Sequence, residues 1–298
     1  MKRFLILALL AVWFTVPFVL VVGQQPTVEQ RLERLEQKID QLSRRLGINL
    51  EEPADLSGLS GNEHLRFGNP GCDGNLLVKP QYVICHRNDW KIPKWVTYHL
   101  SAENLQGNAA RSDDFRPDPE LPEGQRSELA DYRNSGFDRG HMAPAADFKR
   151  SKVAMSETFL LSNMTPQTPN LNRRMWANLE DQVRSLANTH GSIWIFTGSL
   201  FLDAEEKPVQ PARHIGPNQV AVPTHFYKAI LCDHGGGNFE MFAFILPNQR
   251  PVLSGTPRDY IVTVDKVQQL SHLDFFAGLP DEQEKRLETT KATNWPVQ

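Results

Sequence analysis

The sequence predicts a mixed α/β domain of about 235 residues, starting near His64, behind an N-terminal region of a different kind. Three observations point there. Apolar residues make up 40% of the 298 and charged residues 22%, enough for a sizeable core and too apolar for global disorder. Beyond residue 64, short β-rich runs alternate with one long segment of helical period. Before it, the patterning fits neither description. The formal charge of −3 excludes a protein coated in positive charge, so any polyanionic partner needs a local basic patch.

Residues Phe4–Val22 (FLILALLAVWFTVPFVLVV) run nineteen positions without a formal charge, behind Lys2 and Arg3. That length can cross a hydrocarbon layer about 30 Å thick, with the basic end inside and the rest exported. A signal peptide cleaved after Gly23 and an uncleaved anchor both fit residues 1–23, and the length suits the anchor better. The expected location is extracytoplasmic, secreted or membrane-anchored through residues 4–22. The mitochondrial intermembrane space is the alternative, although the segment lacks the Arg- and Ser-rich amphipathic character of a presequence. In residues 24–47, Val28, Leu32, Leu35, Ile39, Leu42 and Leu46 follow the 4-3-4-3-4 spacing of a coiled-coil seam. Self-association through residues 28–46 is expected, with an amphipathic helix docked on its own domain as the alternative. Residues 48–63 read as a linker and 64–298 as the domain.

Within the domain, Leu76–Cys85 and Trp95–Leu100 read as strands, and 101–135, with Pro117, Pro119, Pro122 and Gly124, as a long surface loop. Ser192–Thr197, Val220–Thr224, Phe226–Cys232 and Phe239–Leu246 are further strands; Asp281–Gln298 reads as a frayed helix or tail. Between them, Leu171–Asn188 reads as a helix. Leu171, Met175, Leu179, Val183 and Leu186 form its buried stripe, and Asn172, Trp176, Glu180 and Arg184 a second stripe about 100° round. The plain interpretation of that second stripe is a solvated face with a Glu180–Arg184 ion pair. Trp176 belongs either to the core or to a groove wall.

The segment upstream gives the second stripe a chemical meaning. Asp138-Arg139-Gly140-His141 places an acid, a guanidinium, a glycine and an imidazole in four positions. Histidine is the side chain best suited to take a proton from water near neutral pH, and Gly140 permits a positive φ or a close approach beside it. FDRGH (Phe137–His141), SNMTPQ (Ser162–Gln167) and LN-x-x-x-W-x-x-LE (Leu171–Glu180) follow in that order, with His141 and Asn172 31 positions apart and Asn172 and Glu180 eight apart. Together they resemble the DNA/RNA non-specific endonucleases of the ββα-metal (His-Me finger) fold. DYRNSGFDRGH and VAVPTHF (Val220–Phe226) bring the likeness nearest the endonuclease G branch, over residues 64–275.

The resemblance implies an α+β domain with a ββα-metal core and a mixed, mainly antiparallel sheet. It implies that His141 is the general base, that Asn172 binds the catalytic divalent ion directly, and that Glu180 holds it through water. Arg139 and Arg184 match phosphate-side arginines, Arg111 in the long loop the transition-state arginine, and Asn163 a supporting active-site asparagine. The expected products are 5′-phosphate ends of DNA and RNA. The chemistry agrees: an in-line phosphodiester displacement gathers charge on oxygen, which a hard cation with few protein ligands can neutralise. Mg²⁺ fits, with Mn²⁺ a possible substitute. Zinc is disfavoured, since Cys72, Cys85 and Cys232 lack CxxC spacing. Cys72 and Cys85 could pair in an oxidising compartment and Cys232 reads as a buried thiol, with all three pairings open. Between Arg139 and Arg184, seven bases against four acids leave +3 in a chain that is −3 overall, a backbone-reading patch. Two other functions stay open: a non-catalytic, membrane-tethered nucleic-acid-binding protein, and a phosphodiesterase for smaller substrates. His99, His190, His214 and His225 read as packing or surface residues.

Overall fold

The computed structural model describes Lys38, Leu59 and residues 61–295. The chain divides into two units, Met1–Asp55 and Leu56–Gln298, and the second contains every described residue but Lys38. The apolar segment 4–22, the heptads of 24–47 apart from Lys38, and most of the linker 48–63 lie outside the described residues. Among the described residues no helix is long and apolar enough to cross a membrane.

The centre of the second unit is a seven-stranded antiparallel sheet. Its strands are β1 (Asn75–Val78), β2 (Val83–Arg87), β3 (Ile92–Ser101), β6 (Ser192–Leu200), β9 (His225–Asp233), β10 (Phe239–Pro247) and β11 (Ile261–Val262), in that spatial order. The long central strands are apolar on both faces because both are covered. Ile84, Val96, Tyr98, Ile195, Ile230, Phe242 and Phe244 point to one layer, where α3 (Ala177–His190) lays down Leu179, Val183 and Leu186. Val83, Cys85, Trp95, Phe196, Tyr227, Ala229 and Met241 point to the other, under α4 (Val264–Ser271) and α5 (Asp281–Thr289). Two short ribbons flank the sheet: β4 (Asp138–His141) with β5 (Met164–Gln167), and β7 (His214–Ile215) with β8 (Val220–Ala221).

Several sequence expectations change here. Leu76–Cys85 is not one strand but a hairpin, turning at Lys79–Tyr82, where Lys79, Pro80 and Gln81 interrupt the apolar run. Cys72 and Cys85, placed on either side of that turn's first strand, form a disulfide, while Cys232 is a free, buried thiol. Val220–Thr224 shortens to the two residues of β8. The C-terminal segment is no frayed tail through Trp295: α5 is a regular helix, and Trp295 is buried against Phe242 and Phe244.

The loop 101–135 contains one short helix, α1 (Leu129–Tyr132), precedes a second, α2 (Lys152–Glu157), and is bolted down by a buried ion pair. Lys79 Nζ lies 3.0 Å from Asp118 Oδ2, and the same oxygen accepts from Ser162 Oγ at 2.6 Å. Both charged groups are buried, so removing one leaves the other uncompensated. Asp118→Ala is therefore expected to cost about 3–5 kcal/mol in a chemical-denaturation series, more than Glu120→Ala, whose carboxylate is half exposed on the same lysine. Equal costs would remove burial as the reason.

Candidate active site

The β4–β5 ribbon runs antiparallel with Asp138 opposite Gln167 and His141 opposite Met164. After β5 the chain enters a wide π turn, Leu171–Trp176, and then α3, so the three motifs form one ββα unit. Asn248 fixes the joint between ribbon and helix. Its Oδ1 accepts from Thr168 N at 2.8 Å, and its Nδ2 donates to Pro166 O at 3.0 Å and Pro223 O at 2.9 Å. Gly140 does not use a positive φ; it permits a close approach instead, since a Cβ there would sit 2.1 Å from Gln167 Oε1.

His141 lies in an aromatic cradle supplied by the long loop and by the turn before β5. Phe159 meets the imidazole edge-on at 4.9 Å between centroids, and Phe115 lies 5.7 Å away. Arg111 stacks on Phe159 at 4.8 Å and Arg139 on Phe115 at 4.0 Å, so both guanidinium groups flank the histidine. Nε2 is buried without a hydrogen-bond partner. Burial first, then the charges of Arg111 and Arg139, hold the imidazole's pKa down at about 3, so the ring is neutral at neutral pH.

Asn172 is oriented by Asp138. Its Nδ2 donates to Asp138 Oδ2 at 2.9 Å, while Arg173 grips the same carboxylate through Nε at 2.8 Å and a second nitrogen at 2.7 Å. Burial opposes ionisation of Asp138, but these hydrogen bonds hold its carboxyl below the ordinary value. With its amide nitrogen engaged, Asn172 keeps its carbonyl oxygen free of the Asp138 contact. Eight residues on, Glu180 sits over a buried charge network. Burial raises its carboxyl, Lys228 and Arg184 oppose the shift, and Asp147 adds to it. Lys228, itself buried, donates to Thr197 Oγ1 at 2.7 Å and lies over the Trp176 ring at 5.1 Å; burial lowers its pKa. A hard cation seeks an amide oxygen and a carboxylate in such a setting, so the donor set fits a divalent ion.

The structure therefore brings Arg111, Arg139 and His141 together, and Asn172 with Asp138. Asn163 is buried and satisfied by backbone: Nδ2 donates to Ala143 O and Thr158 O, and Oδ1 accepts from Ala143 N, all at 2.9 Å. It holds the chain just past His141 and has no polar atom left for a substrate. Arg184 pairs with Asp147 at 2.9 Å and with Asp181, rather than with Glu180. Trp176 is core, packed on Phe226 at 5.7 Å. Sequence reasoning missed Phe115 and Phe159, Asp138 as the partner of Asn172, Lys228 and Asn248. Only Lys228 left a signal, a lone cation inside an apolar strand.

The histidine sign carries a stability consequence. His141 and His86, the latter held down at about 4 by burial, titrate near 6.5 when unfolded. The unfolded chain then binds more protons below pH 6.5, so stability present above that pH is lost as pH falls toward 4. Glu180, with a raised pKa, works in the opposite sense, so the test is a difference. Between pH 6 and 5 the denaturation free energy of wild-type protein should fall more steeply than that of His141→Phe, by about 1.4 kcal/mol per pH unit. Parallel pH profiles would contradict the buried neutral histidine.

A ββα unit presenting a neutral buried imidazole, flanking arginines and an oriented amide oxygen defines a metal-assisted hydrolase of phosphodiesters. The comparisons agree. The DNA/RNA non-specific endonuclease family model matches residues 60–282, and the chain belongs to that family. It is 38% identical to mitochondrial endonuclease G of Bos taurus over 232 residues, covering 76% of this chain and 77% of that protein. Nuclease C1 of Cunninghamella echinulata var. echinulata is 40% identical over 221 residues, 72% of this chain and 88% of the nuclease. A crystal structure of the EndoG/EndoGI complex, described as revealing the mechanism of EndoG inhibition, superposes with a TM-score of 0.68 at 33% identity, covering 74% of this chain and 92% of that one. The chain is thus a non-specific nuclease of a divalent-metal-dependent family, hydrolysing nucleic-acid phosphodiester bonds.

Proposed function

We propose that the chain cleaves DNA and RNA with Mg²⁺ held directly by Asn172 and through water by Glu180, and with His141 as general base. The observation that supports this best is the pairing of a neutral, aromatically framed His141 with an Asn172 amide whose nitrogen is tied to Asp138. Bound there, a divalent ion supplies charge neutralisation to the phosphate and leaving oxygens. His141, kept proton-free by burial, accepts the proton of the attacking water, and Nδ1 is the ring nitrogen left for it because Nε2 is sealed. Arg111, 53% exposed at its side chain, and Arg139 bracket the space beside the imidazole and hold phosphate oxygens. Asn163 positions the loop after His141. Arg184 acts through Asp147, fixing the charge network under Glu180 rather than touching phosphate.

The Cys72–Cys85 disulfide supports an oxidising compartment. The apolar segment 4–22 delivers the domain to it, by export or, as the mitochondrial names of relatives suggest, to the intermembrane space, and residues 28–46 associate copies. Mass spectrometry of the mature N-terminus separates a cleaved from a retained segment. Digestion of plasmid DNA and of structured RNA should proceed in Mg²⁺ and stop in EDTA. Retention of DNA without cleavage in Mg²⁺ would reduce the protein to a binding surface. Turnover of bis-p-nitrophenyl phosphate exceeding that of DNA would make it a small-substrate phosphodiesterase.

A further inference from the structure

The sheet face opposite α3 holds a second group of chemistry-bearing residues that the nuclease reaction does not use. Asp274, in the turn after α4, and Glu284 and Glu288, one turn apart on α5, each bring a carboxylate oxygen within 4.8 Å of the others. Glu288 is only 8% exposed. Its Oε1 and that of Glu284 are shut off from solvent with no hydrogen-bond partner. Among the described residues no lysine, arginine or histidine forms an ion pair with any of the three. The neighbours aggravate the charge: burial, then Glu284, Asp274 and Asp265, raise the Glu288 carboxyl to about 7 against a partial opposing effect of Gln268. Glu284 is raised by burial, Asp274 and Asp281.

Gln268 supplies the one hydrogen bond to the Glu288 carboxylate and leaves Oε1 bare, and a buried carboxylate oxygen without a donor is costly unless the group is protonated or paired. One shared proton can bridge two such oxygens but not three. A cation serves all three at once. The span of up to 4.8 Å is what two Ca–O bonds of about 2.4 Å cover, and calcium accepts irregular sets of six to eight oxygens completed by water. Magnesium demands a tighter octahedron at about 2.1 Å and sheds water reluctantly. Asp274 is exposed, which leaves the ion a way in.

We propose that Asp274, Glu284 and Glu288 form a calcium site that clamps α5 onto the turn following α4. The buried, unpartnered Glu288 oxygen distinguishes it from an ordinary acidic patch. The clamp acts on packing: Phe275 and Phe276, adjacent to Asp274, and Leu287, between the two glutamates' turns, are buried in the layer beneath α4 and α5. The site shares no residue with the Asn172–Glu180 pair, so it is structural and independent of catalysis.

The test uses the full chain carrying Asn172→Ala, to silence the catalytic site, with and without the triple substitution Asp274→Asn, Glu284→Gln, Glu288→Gln. At pH 7.5, CaCl₂ at about a hundredfold excess over Kd should raise Tm over EDTA by roughly 5–10 °C in the first protein, and Mg²⁺ by less. Calorimetric titration should show one calcium site, lost in the triple variant. That variant without metal should be no less stable than its metal-free parent, because like-charge repulsion is gone. In a wild-type active-site background, it should cleave DNA in Mg²⁺ at the unmodified rate. No calcium-dependent rise in Tm, or a calcium site that survives the triple substitution, overturns the proposal. Stabilisation by acidification alone, with no response to calcium, would assign the cluster to a shared proton.

Discussion

Replacing His141 by alanine should leave a folded protein that still retains nucleic acid at low salt but cleaves it about 10²–10⁴-fold more slowly. The expected loss is that of a general base, because the surroundings leave the imidazole no other task. Its Nε2 has no partner to hold, and the rings of Phe115 and Phe159 frame it without hydrogen bonds. The two flanking arginines disfavour an imidazolium, so the ring rests neutral with a lone pair free to accept a proton. The same arginines keep binding phosphate in the variant, which is why retention and cleavage should part company. Initial rates of supercoiled-plasmid nicking at saturating Mg²⁺, beside low-salt mobility shifts, separate the two. Nicking at the wild-type rate removes His141 from the chemistry. A loss of binding equal to the loss of rate makes it a scaffold for the arginines instead.

The parts of this site that were legible in the sequence share a physical property: they lie on short contiguous elements whose period fixes their mutual placement. Asp138 to His141 is one strand, and Asn172 and Glu180 stand on a helix whose apolar stripe, Leu171 through Leu186, is buried as its spacing demands. A π turn at the start of that helix did not disturb the pattern, since it widens the coil by one residue and keeps Leu171 and Met175 inside. What could not be read depends on pairings distant in sequence. Arg111 comes beside His141 through pairings of the long loop with distant segments: Arg116 bridges to Leu160, and Asp118 pairs with Lys79. Arg184, read as a phosphate-side arginine, also serves Asp147, 37 positions earlier, which is fully buried and needs a cation, a pairing no local spacing announces. Trp295 was lost for the same reason, its contacts being Phe242 and Phe244 across the sheet.

Asn172→Ala should abolish cleavage to the same degree as loss of the base, by about 10²–10⁴-fold, since it removes the oxygen proposed to hold the divalent ion, and such an ion contributes several kcal/mol. A tenfold change is 1.36 kcal/mol, so even partial loss of the ion is visible in rate. The variant also separates ligand from orientation. In Asp138→Ala the Asn172 oxygen survives but its amide nitrogen loses the acceptor at 2.9 Å that fixes the orientation of the amide, and Arg173 loses its bidentate partner. That protein should show a raised half-saturating Mg²⁺ concentration with much of its maximal rate recovered at high metal. Asn172→Ala should recover little at any concentration. The order follows from geometry, because an amide free to rotate still presents its oxygen part of the time, whereas a methyl group never does. If both variants respond to Mg²⁺ alike, Asp138 is itself a ligand and the hydrogen bond to Asn172 is incidental. If neither needs more Mg²⁺ than wild-type protein, the ion is held elsewhere and Asn172 has been given the wrong task.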